Sequence, residues 1–222
     1  MFKLTKLIHF AGNCGQPERD AVAAALRRSD GQVLVQPTLA GVYNGGDLVA
    51  HFQFEDEREW NAAEPQIAAT LASAAVGHVD SVAYAGGRCG ESEPRLEKGV
   101  YRTLLLCVDR PVDPAVIEQF EAEMRMMPHY IPAIRNWQLS RVAHASGSRR
   151  WTHVWEQEYS GIEGLMGPYM MHPYHWARVD RWFDPESPEW MISTTLCHSF
   201  CPLERSIVGQ ASGRADGSRV RR

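Results

Sequence analysis

The sequence predicts an α+β fold built from two tandem ferredoxin-like units, whose antiparallel sheets pack into one α/β barrel. The order β-α-β-β-α-β occurs twice along the 222 residues. Asn44-Gly45 marks a hairpin in the first unit, because both central positions of a type I′ turn need positive φ. A four-stranded sheet with helices on one face leaves an apolar face open, and a second such sheet can bury it.

The first half begins with a short run of alternating apolar residues, which is typical of a strand. Gln16-Pro17-Glu18 opens an Ala-rich stretch, and proline is tolerated in the first turn of a helix. Two strands around the Asn-Gly turn, a second helix and a last strand follow. The predicted elements of this half span residues 5–11, 16–28, 33–42, 48–54, 57–75 and 78–84.

The second half repeats this order. Asp113 and Pro114 supply an N-cap and a first helical residue, and apolar residues then recur at helical spacing up to Met127. The strands of this half are predicted at residues 101–108, 137–144, 151–159 and 193–200, with a second helix at 162–180.

These elements predict the organisation of the chain. An N-terminal unit covers residues 1–90, a linker covers 91–99, and a C-terminal unit covers 100–201. Residues 202–222 are rich in Ser, Gly and Arg and are predicted to be a flexible tail.

Composition and charge exclude several classes of protein. The chain has 23 Lys and Arg against 27 Asp and Glu, a net charge of −4, which argues against nucleic acid as a partner. No apolar run approaches the roughly 20 residues that a membrane helix needs. The five cysteines form no C-x-x-C pair, so neither a disulfide scaffold nor a structural zinc site is expected. A cytoplasmic location is predicted.

Several strings in the second half resemble the stress-responsive A/B barrel (Dabb) family of the dimeric α/β-barrel superfamily. The most specific is Y-x-x-H-P-x-H at residues 169–175, supported by Ile-Pro-Ala-Ile at 131–134 and Trp-Thr-His-Val at 151–154. The first half lacks the Y-x-x-H-P-x-H string, which implies a fused chain with a degenerate, structural N-terminal unit. The exposed sheet edges also predict a homodimer.

The Y-x-x-H-P-x-H string supplies the candidate catalytic residues His175, Tyr169 and His172. Imidazole titrates near neutral pH and can accept a proton, while a phenol can donate a hydrogen bond to a developing oxyanion. Tyr169 and His175 are six residues apart, about 240° on a straight helix, so they share a face only if Pro173 bends the helix. The resemblance to plant polyketide cyclases of the family implies that His175 is the base and Tyr169 the oxyanion donor.

The resemblance also suggests three substrate-binding residues, His153, Trp155 and Arg102. Arg102 stands on the first strand near a position where many family members carry His, which suggests an anchor for a carboxylate or phenolate. Trp155 occupies a position that holds an aliphatic residue in the related cyclases, and its bulk suggests a flat ligand. His153 and Trp155 share one face of their strand, but the sequence leaves open whether that face points into the barrel or toward the helices.

The predicted function is cofactor-independent acid/base catalysis, as a lyase or cyclase of the aldol, retro-aldol or elimination type. The predicted substrate is a small phenolic, aromatic or polyketide-like compound in the barrel cavity, with no metal and no cofactor. Two alternatives stay open, a non-catalytic stress-responsive or ligand-binding barrel and a cofactor-free monooxygenase of the same superfamily. Two others are weaker: a metal held by His172 and His175 with His198 or Glu163, and haem bound through one histidine.

Overall fold

The first half forms the predicted β-α-β-β-α-β unit in a computed structural model that describes residues 1–209. Asp56 caps the second helix by accepting hydrogen bonds from the backbone N–H groups of Arg58 and Glu59, at 2.9 and 3.0 Å. The strands pair antiparallel in the order β2-β3-β1-β4, which is the ferredoxin-like arrangement. The elements are β1 (Phe2–Phe10), α1 (Gln16–Leu26), β2 (Gln32–Pro37), β3 (Leu48–Phe54), α2 (Glu57–Leu71) and β4 (Val76–Ala85).

The second half repeats the unit with two added strands and an irregular last helix. Asp113 caps α3, since its carboxylate accepts from the Ala115 N–H at 2.8 Å. The four strands that match the first unit pair in the order β10-β6-β9-β7. The elements are β5 (Arg88–Glu91), β6 (Glu97–Leu106), α3 (Pro114–Tyr130), β7 (Asn136–Arg141), β8 (His144–Ser146), β9 (His153–Tyr159) and β10 (Cys197–Arg205). Between β9 and β10 lies a helical stretch, residues 162–182, which we call the site segment.

The two sheets are joined along both edges. On one side, β8 pairs with β4 of the first sheet and β5 pairs with β7 of the second, so each sheet gains a fifth strand. On the other side, the Leu39 N–H donates to the Phe200 carbonyl at 3.0 Å, and Tyr43 forms a β-bridge with His198. These contacts close the two sheets into a barrel, as the sequence predicts.

The core consists of three apolar layers. One lies between the first sheet and helices α1 and α2, one between the two sheets, and one between the second sheet, α3 and the site segment. The layer between the sheets fills the barrel with side chains, among them the fully buried Tyr84 and Tyr101. It also holds an ion pair between Lys3 and Glu156, whose side chains approach to 3.3 Å. No helix within residues 1–209 combines the length and the apolar character that a membrane crossing requires.

Two predicted connections differ from the structure. The linker expected at residues 91–99 is shorter, since β5 ends at Glu91 and β6 begins at Glu97. Residues 202–208, which were expected to belong to a flexible tail, are part of the fold, because β10 continues to Arg205 and both Ile207 and Val208 are buried. Residues 210–222 of the predicted tail lie outside the described part of the chain.

Candidate active site

The site segment places Tyr169 and His175 side by side. It contains two π-helical stretches, Leu165–Tyr169 and His175–Val179, and the helix is interrupted at His172, immediately before Pro173. π-helical turns are wider than α-helical turns and are frequent at functional sites. The ring centroids of Tyr169 and His175 are 4.7 Å apart with an interplanar angle of 65°. The bend brings together two residues that a straight helix would hold on different faces.

Arg102 donates hydrogen bonds to three other side chains of this site. Its Nη1 donates to the Tyr169 hydroxyl at 3.1 Å and to the Gln157 side-chain oxygen, while its Nε donates to Nε2 of His198 at 2.8 Å. The guanidinium carbon also lies 4.8 Å from the centre of the Tyr169 ring, a cation–π contact. Arg102 also acts on the neighbouring Tyr159, where it opposes the rise in the pKa of that phenol caused by burial.

His175 is held in its neutral form. Burial, followed by the positive charge of Arg102, lowers its pKa from 6.5 to about 4. Its Nδ1 lies 3.5 Å from an oxygen of Asp180 but is buried without a hydrogen bond. At neutral pH the imidazole therefore carries a free lone pair, and it can act as a general base.

Burial and Arg102 set the protonation states of Tyr169 and His198. Burial raises the pKa of the Tyr169 phenol, although Arg102 acts in the opposite direction, so the hydroxyl keeps its proton at neutral pH. Burial and Arg102 lower the pKa of His198 to about 2. Since Nε2 of His198 accepts from Arg102, its ring proton resides on Nδ1. Tyr169 is thus available as a hydrogen-bond donor, and His198 orients the guanidinium.

A cavity of about 220 Å³ adjoins these groups. Drug-sized ligands occupy pockets of roughly 300–1,000 Å³, so this cavity suits a smaller molecule. Its walls are mostly apolar, which strengthens the electrostatic interactions of the polar groups that face it. The lining residues are Arg102, Leu104, Met124, Tyr169, Met170, His175, Val179, Asp180, Phe183, Leu196 and His198.

The cavity lies between the second sheet and its helices, not inside the barrel as the sequence prediction had it. On β6, Leu104 packs in the helix-side layer, whereas Tyr101 and Leu105 pack between the two sheets. Arg102 follows the same alternation as Leu104 and points toward the site segment. The barrel-cavity prediction fails because large side chains from both sheets fill the interior.

Three of the predicted site residues stand apart from the cavity. His172 accepts a hydrogen bond from the Tyr174 N–H at 3.1 Å, a local contact at the interruption of the helix. His153 points toward α3, where its Nε2 lies 3.2 Å from the Glu121 carboxylate. Trp155 is fully buried against Trp137, with ring centroids 5.5 Å apart. The structure thus resolves the open question of their strand, since the shared face of His153 and Trp155 points toward the helices.

Two residues of the site were not assigned this role from the sequence. Gln157 is the direct cross-strand partner of Arg102 on β9, and His198 was considered only as a metal ligand. Strand alternation gave one usable signal for His198. It shares a face of β10 with the apolar Phe200, which indicates that His198 points toward the core. The pairing register, which sets Phe200 opposite Arg102, is a tertiary property.

The donor set does not favour a metal ion. Within residues 1–209, no group of three or more His, Cys, Asp or Glu side chains is placed to hold one. The guanidinium of Arg102 occupies the position between Tyr169 and His198, where it would repel a cation.

Comparisons with solved structures agree with this fold. An anthrone oxidase-like protein superposes with a TM-score of 0.62 at 8% identity, covering 96% of each chain. A candidate monooxygenase from Fusobacterium nucleatum gives a TM-score of 0.55 at 10% identity, covering 92% of this chain and 93% of its own. A mutant chlorite dismutase from Candidatus Nitrospira defluvii gives 0.52 at 10% identity, covering 90% of each chain. At these identities the likeness concerns the fold.

The sequence comparisons concern the second half. A search of curated proteins found no match for the chain. The family model of the stress responsive A/B barrel domain matches residues 100–193, a range that contains Arg102, Tyr169 and His175. Over this range, the second half of the chain is therefore similar to the stress responsive A/B barrel domain family.

Proposed function

We propose that the cavity catalyses cofactor-independent proton transfer on a small phenolic, aromatic or polyketide-like compound, in a lyase or cyclase reaction of the aldol, retro-aldol or elimination type. The observation that carries the proposal is the buried, neutral His175 beside Tyr169 and Arg102. All these reactions begin with removal of a proton from carbon or oxygen and place negative charge on a neighbouring oxygen. The site supplies a base for the first event and two donors for the second.

Each residue has a distinct role in this mechanism. His175 accepts the proton, and its low pKa keeps the lone pair free throughout the physiological range. Tyr169 donates a hydrogen bond from its hydroxyl to the developing oxyanion, while its oxygen accepts one from Arg102. This contact stabilises negative charge near the phenol. Arg102 lines the cavity and anchors a phenolate or carboxylate of the substrate, while Gln157 and His198 orient its guanidinium.

The dimensions of the cavity support a compact aromatic substrate. A volume of about 220 Å³ with Leu104, Phe183 and Leu196 among its walls fits a substituted single ring better than a long alkyl chain. Trp155, from which the sequence suggested a flat ligand, does not line the cavity, so this argument now depends on Phe183 and the volume.

The test is proton abstraction from a panel of hydroxylated acetophenones in D₂O, followed by mass spectrometry. We expect His175→Gln to lower the exchange rate at least about 100-fold, because a general base typically accelerates a reaction by this factor or more. His129→Gln, the same substitution at an exposed histidine outside the cavity, should leave the rate unchanged. Equal exchange in wild type and His175→Gln would refute the proposal.

The pH profile provides a second test. Because the deprotonated form of His175 is the active one, kcat/KM should stay constant from pH 8 to about 5 and fall below that, following a pKa of about 4. A profile that instead falls through pH 6.5 would show that the base is not this buried histidine.

A cofactor-free monooxygenase is the second candidate. The structural likeness to an anthrone oxidase-like protein and to a candidate monooxygenase suggests it. The same base would generate a phenolate or carbanion, and molecular oxygen would then take up electrons from it. An oxygen electrode separates the two candidates, since consumption of O₂ with a hydroquinone or anthrone substrate supports the oxygenase and its absence during turnover supports the lyase or cyclase.

A further inference from the structure

A surface groove lies away from the active-site cavity, where the chain passes from one sheet to the other. After β7 ends, the Val142 N–H donates to the Thr152 carbonyl and the Ala143 N–H to the Ala83 carbonyl, both at 2.9 Å. The chain thus leaves the second sheet and joins the first as β8. We call the depression beside this crossover the seam groove. It measures about 800 Å³.

The floor of the seam groove is apolar and firmly held. Val108, Val112 and Ile117 line it and pack on the helix-side core of the second half. Trp151 is 2% exposed, and its indole N–H donates to buried Asp80 at 3.1 Å. The floor is therefore formed before any ligand arrives.

The rim of the seam groove is positively charged. Arg110, Arg141 and Arg150 line it together with His144, whereas no Asp or Glu among residues 1–209 does. This contrasts with the whole chain, in which acidic residues outnumber Lys and Arg by 27 to 23. An isolated concentration of arginine over an apolar floor attracts organic anions.

The arginines differ in how many of their donors are used. Arg141 is paired with Glu121 at 2.5 Å. Arg110 is positioned by a hydrogen bond to the Trp190 carbonyl at 2.9 Å and by stacking on that ring, 4.8 Å from its centre. Within residues 1–209, neither Arg110 nor Arg150 pairs with a carboxylate. Their guanidinium groups are free to bind a carboxylate from outside.

We propose that the seam groove is a second ligand site, which binds a small organic carboxylate with an apolar ring or chain. The apolar part lies on Val108, Val112 and Trp151, and the carboxylate binds Arg110 and Arg150. This site is separate from the cavity of Arg102 and Tyr169, and the inference does not depend on the proposed function.

The experiment measures binding of 2-naphthoate to the full chain by isothermal titration calorimetry at pH 7.5. We expect wild type to bind 2-naphthoate more tightly than the neutral analogue 2-naphthalenemethanol. The variant Arg110→Ala/Arg150→Ala should bind 2-naphthoate at least about tenfold more weakly, because it loses charge-assisted hydrogen bonds. Arg28→Ala, at an exposed arginine of the first half, should bind like wild type.

The design also separates the two sites. Arg110 and Arg150 are exposed, so their replacement leaves the core intact, and circular dichroism confirms the fold of each variant. Undiminished binding of 2-naphthoate in the double variant would place the ligand elsewhere, including at Arg102, and would overturn the proposal. Equal affinity for 2-naphthalenemethanol in wild type would overturn it as well, since the arginines would then contribute nothing.

Discussion

Replacing His175 by Gln should change how the stability of the protein depends on pH. In the unfolded chain the imidazole has its ordinary pKa of 6.5, whereas in the folded protein burial and Arg102 lower that pKa to about 4. Between these values the unfolded chain takes up a proton that the folded protein does not. The free energy of unfolding of wild type therefore falls as the pH drops from 6.5 to 4, and it stays level with respect to this group above 6.5.

The magnitude follows from the two pKa values. At pH 4.5 nearly all unfolded chains carry the proton and only a minority of folded ones do, so the loss attributable to His175 is about 2.5 kcal/mol. Carboxylates and other histidines also titrate in this range, but they do so equally in His175→Gln. The difference between the two proteins isolates the contribution of this one side chain.

The assay is urea unfolding of wild type and His175→Gln at pH 7.0 and pH 4.5. Between these pH values wild type should lose about 2.5 kcal/mol more than the variant. His129→Gln, at an exposed position, serves as the control and should behave like wild type. If Asp180, at 3.5 Å, instead held His175 as an ion pair, the pKa would rise and wild type would gain stability relative to the variant on acidification. Equal losses in wild type and His175→Gln, or this reversed sign, would refute the neutral buried base.

Three further predictions concern other parts of the molecule. Lys3→Met leaves the carboxylate of Glu156 buried without its cation and should cost about 3 kcal/mol in urea unfolding, a loss that Glu156→Gln in the same chain should partly reverse. Gly147→Ala should lower the melting temperature by several degrees, because Gly147 has φ +109° and a Cβ there would lie 2.4 Å from an oxygen of Asp80. Tyr169→Phe should keep the fold, measured by circular dichroism, while lowering the turnover rate about 100-fold in the proton-exchange assay. Each expectation has its own refuting result. These are unchanged stability of Lys3→Met, an unchanged melting temperature of Gly147→Ala, and full activity of Tyr169→Phe.

Local signals in the sequence were sufficient for the order of the elements. Asp56 and Asp113 begin helices α2 and α3 as N-caps, and both do so through side-chain bonds that depend only on residues two or three positions away. Because the ferredoxin-like unit follows from element order and the open apolar face of each sheet, the barrel could be predicted as well.

The orientation of the strands could not be predicted in the same way. All seven residues of β9, from His153 to Tyr159, are buried, so the strand has no exposed face to indicate its direction. Glu156 and Glu158 interrupt its apolar residues, which normally suggests solvent. In the structure they face the barrel interior, where Glu158 accepts from the backbone N–H groups of Ile207 and Val208 at 2.7 and 2.9 Å. The partners of these carboxylates come from distant parts of the chain, and no local pattern contains them.

The site was predictable in its residue types and not in its geometry. Tyr169 and His175 were found from their string and Arg102 from its place on the first strand of the unit. Their meeting depends on the interrupted helix and on the register that sets Arg102 opposite Gln157. His172 and His153 belong to the same strings, yet each contacts a neighbour outside the cavity. Membership of the same sequence string therefore did not distinguish residues that line the cavity from those that lie outside it.

Arg102 and the site segment both lie in the second half of the chain, but their surroundings differ. In the barrel interior, polar contacts connect the two sheets. The Lys3–Glu156 ion pair and the Trp151–Asp80 hydrogen bond fix the position of the second sheet relative to the first. Arg102 lies on β6, between β10 and β9 in that sheet, and is therefore held still. The site segment lies on the outer face, and its helix is interrupted at His172. The cavity thus lies between a central strand of the sheet and the interrupted helix. The first half packs against the sheet that carries Arg102, although none of its side chains lines the cavity.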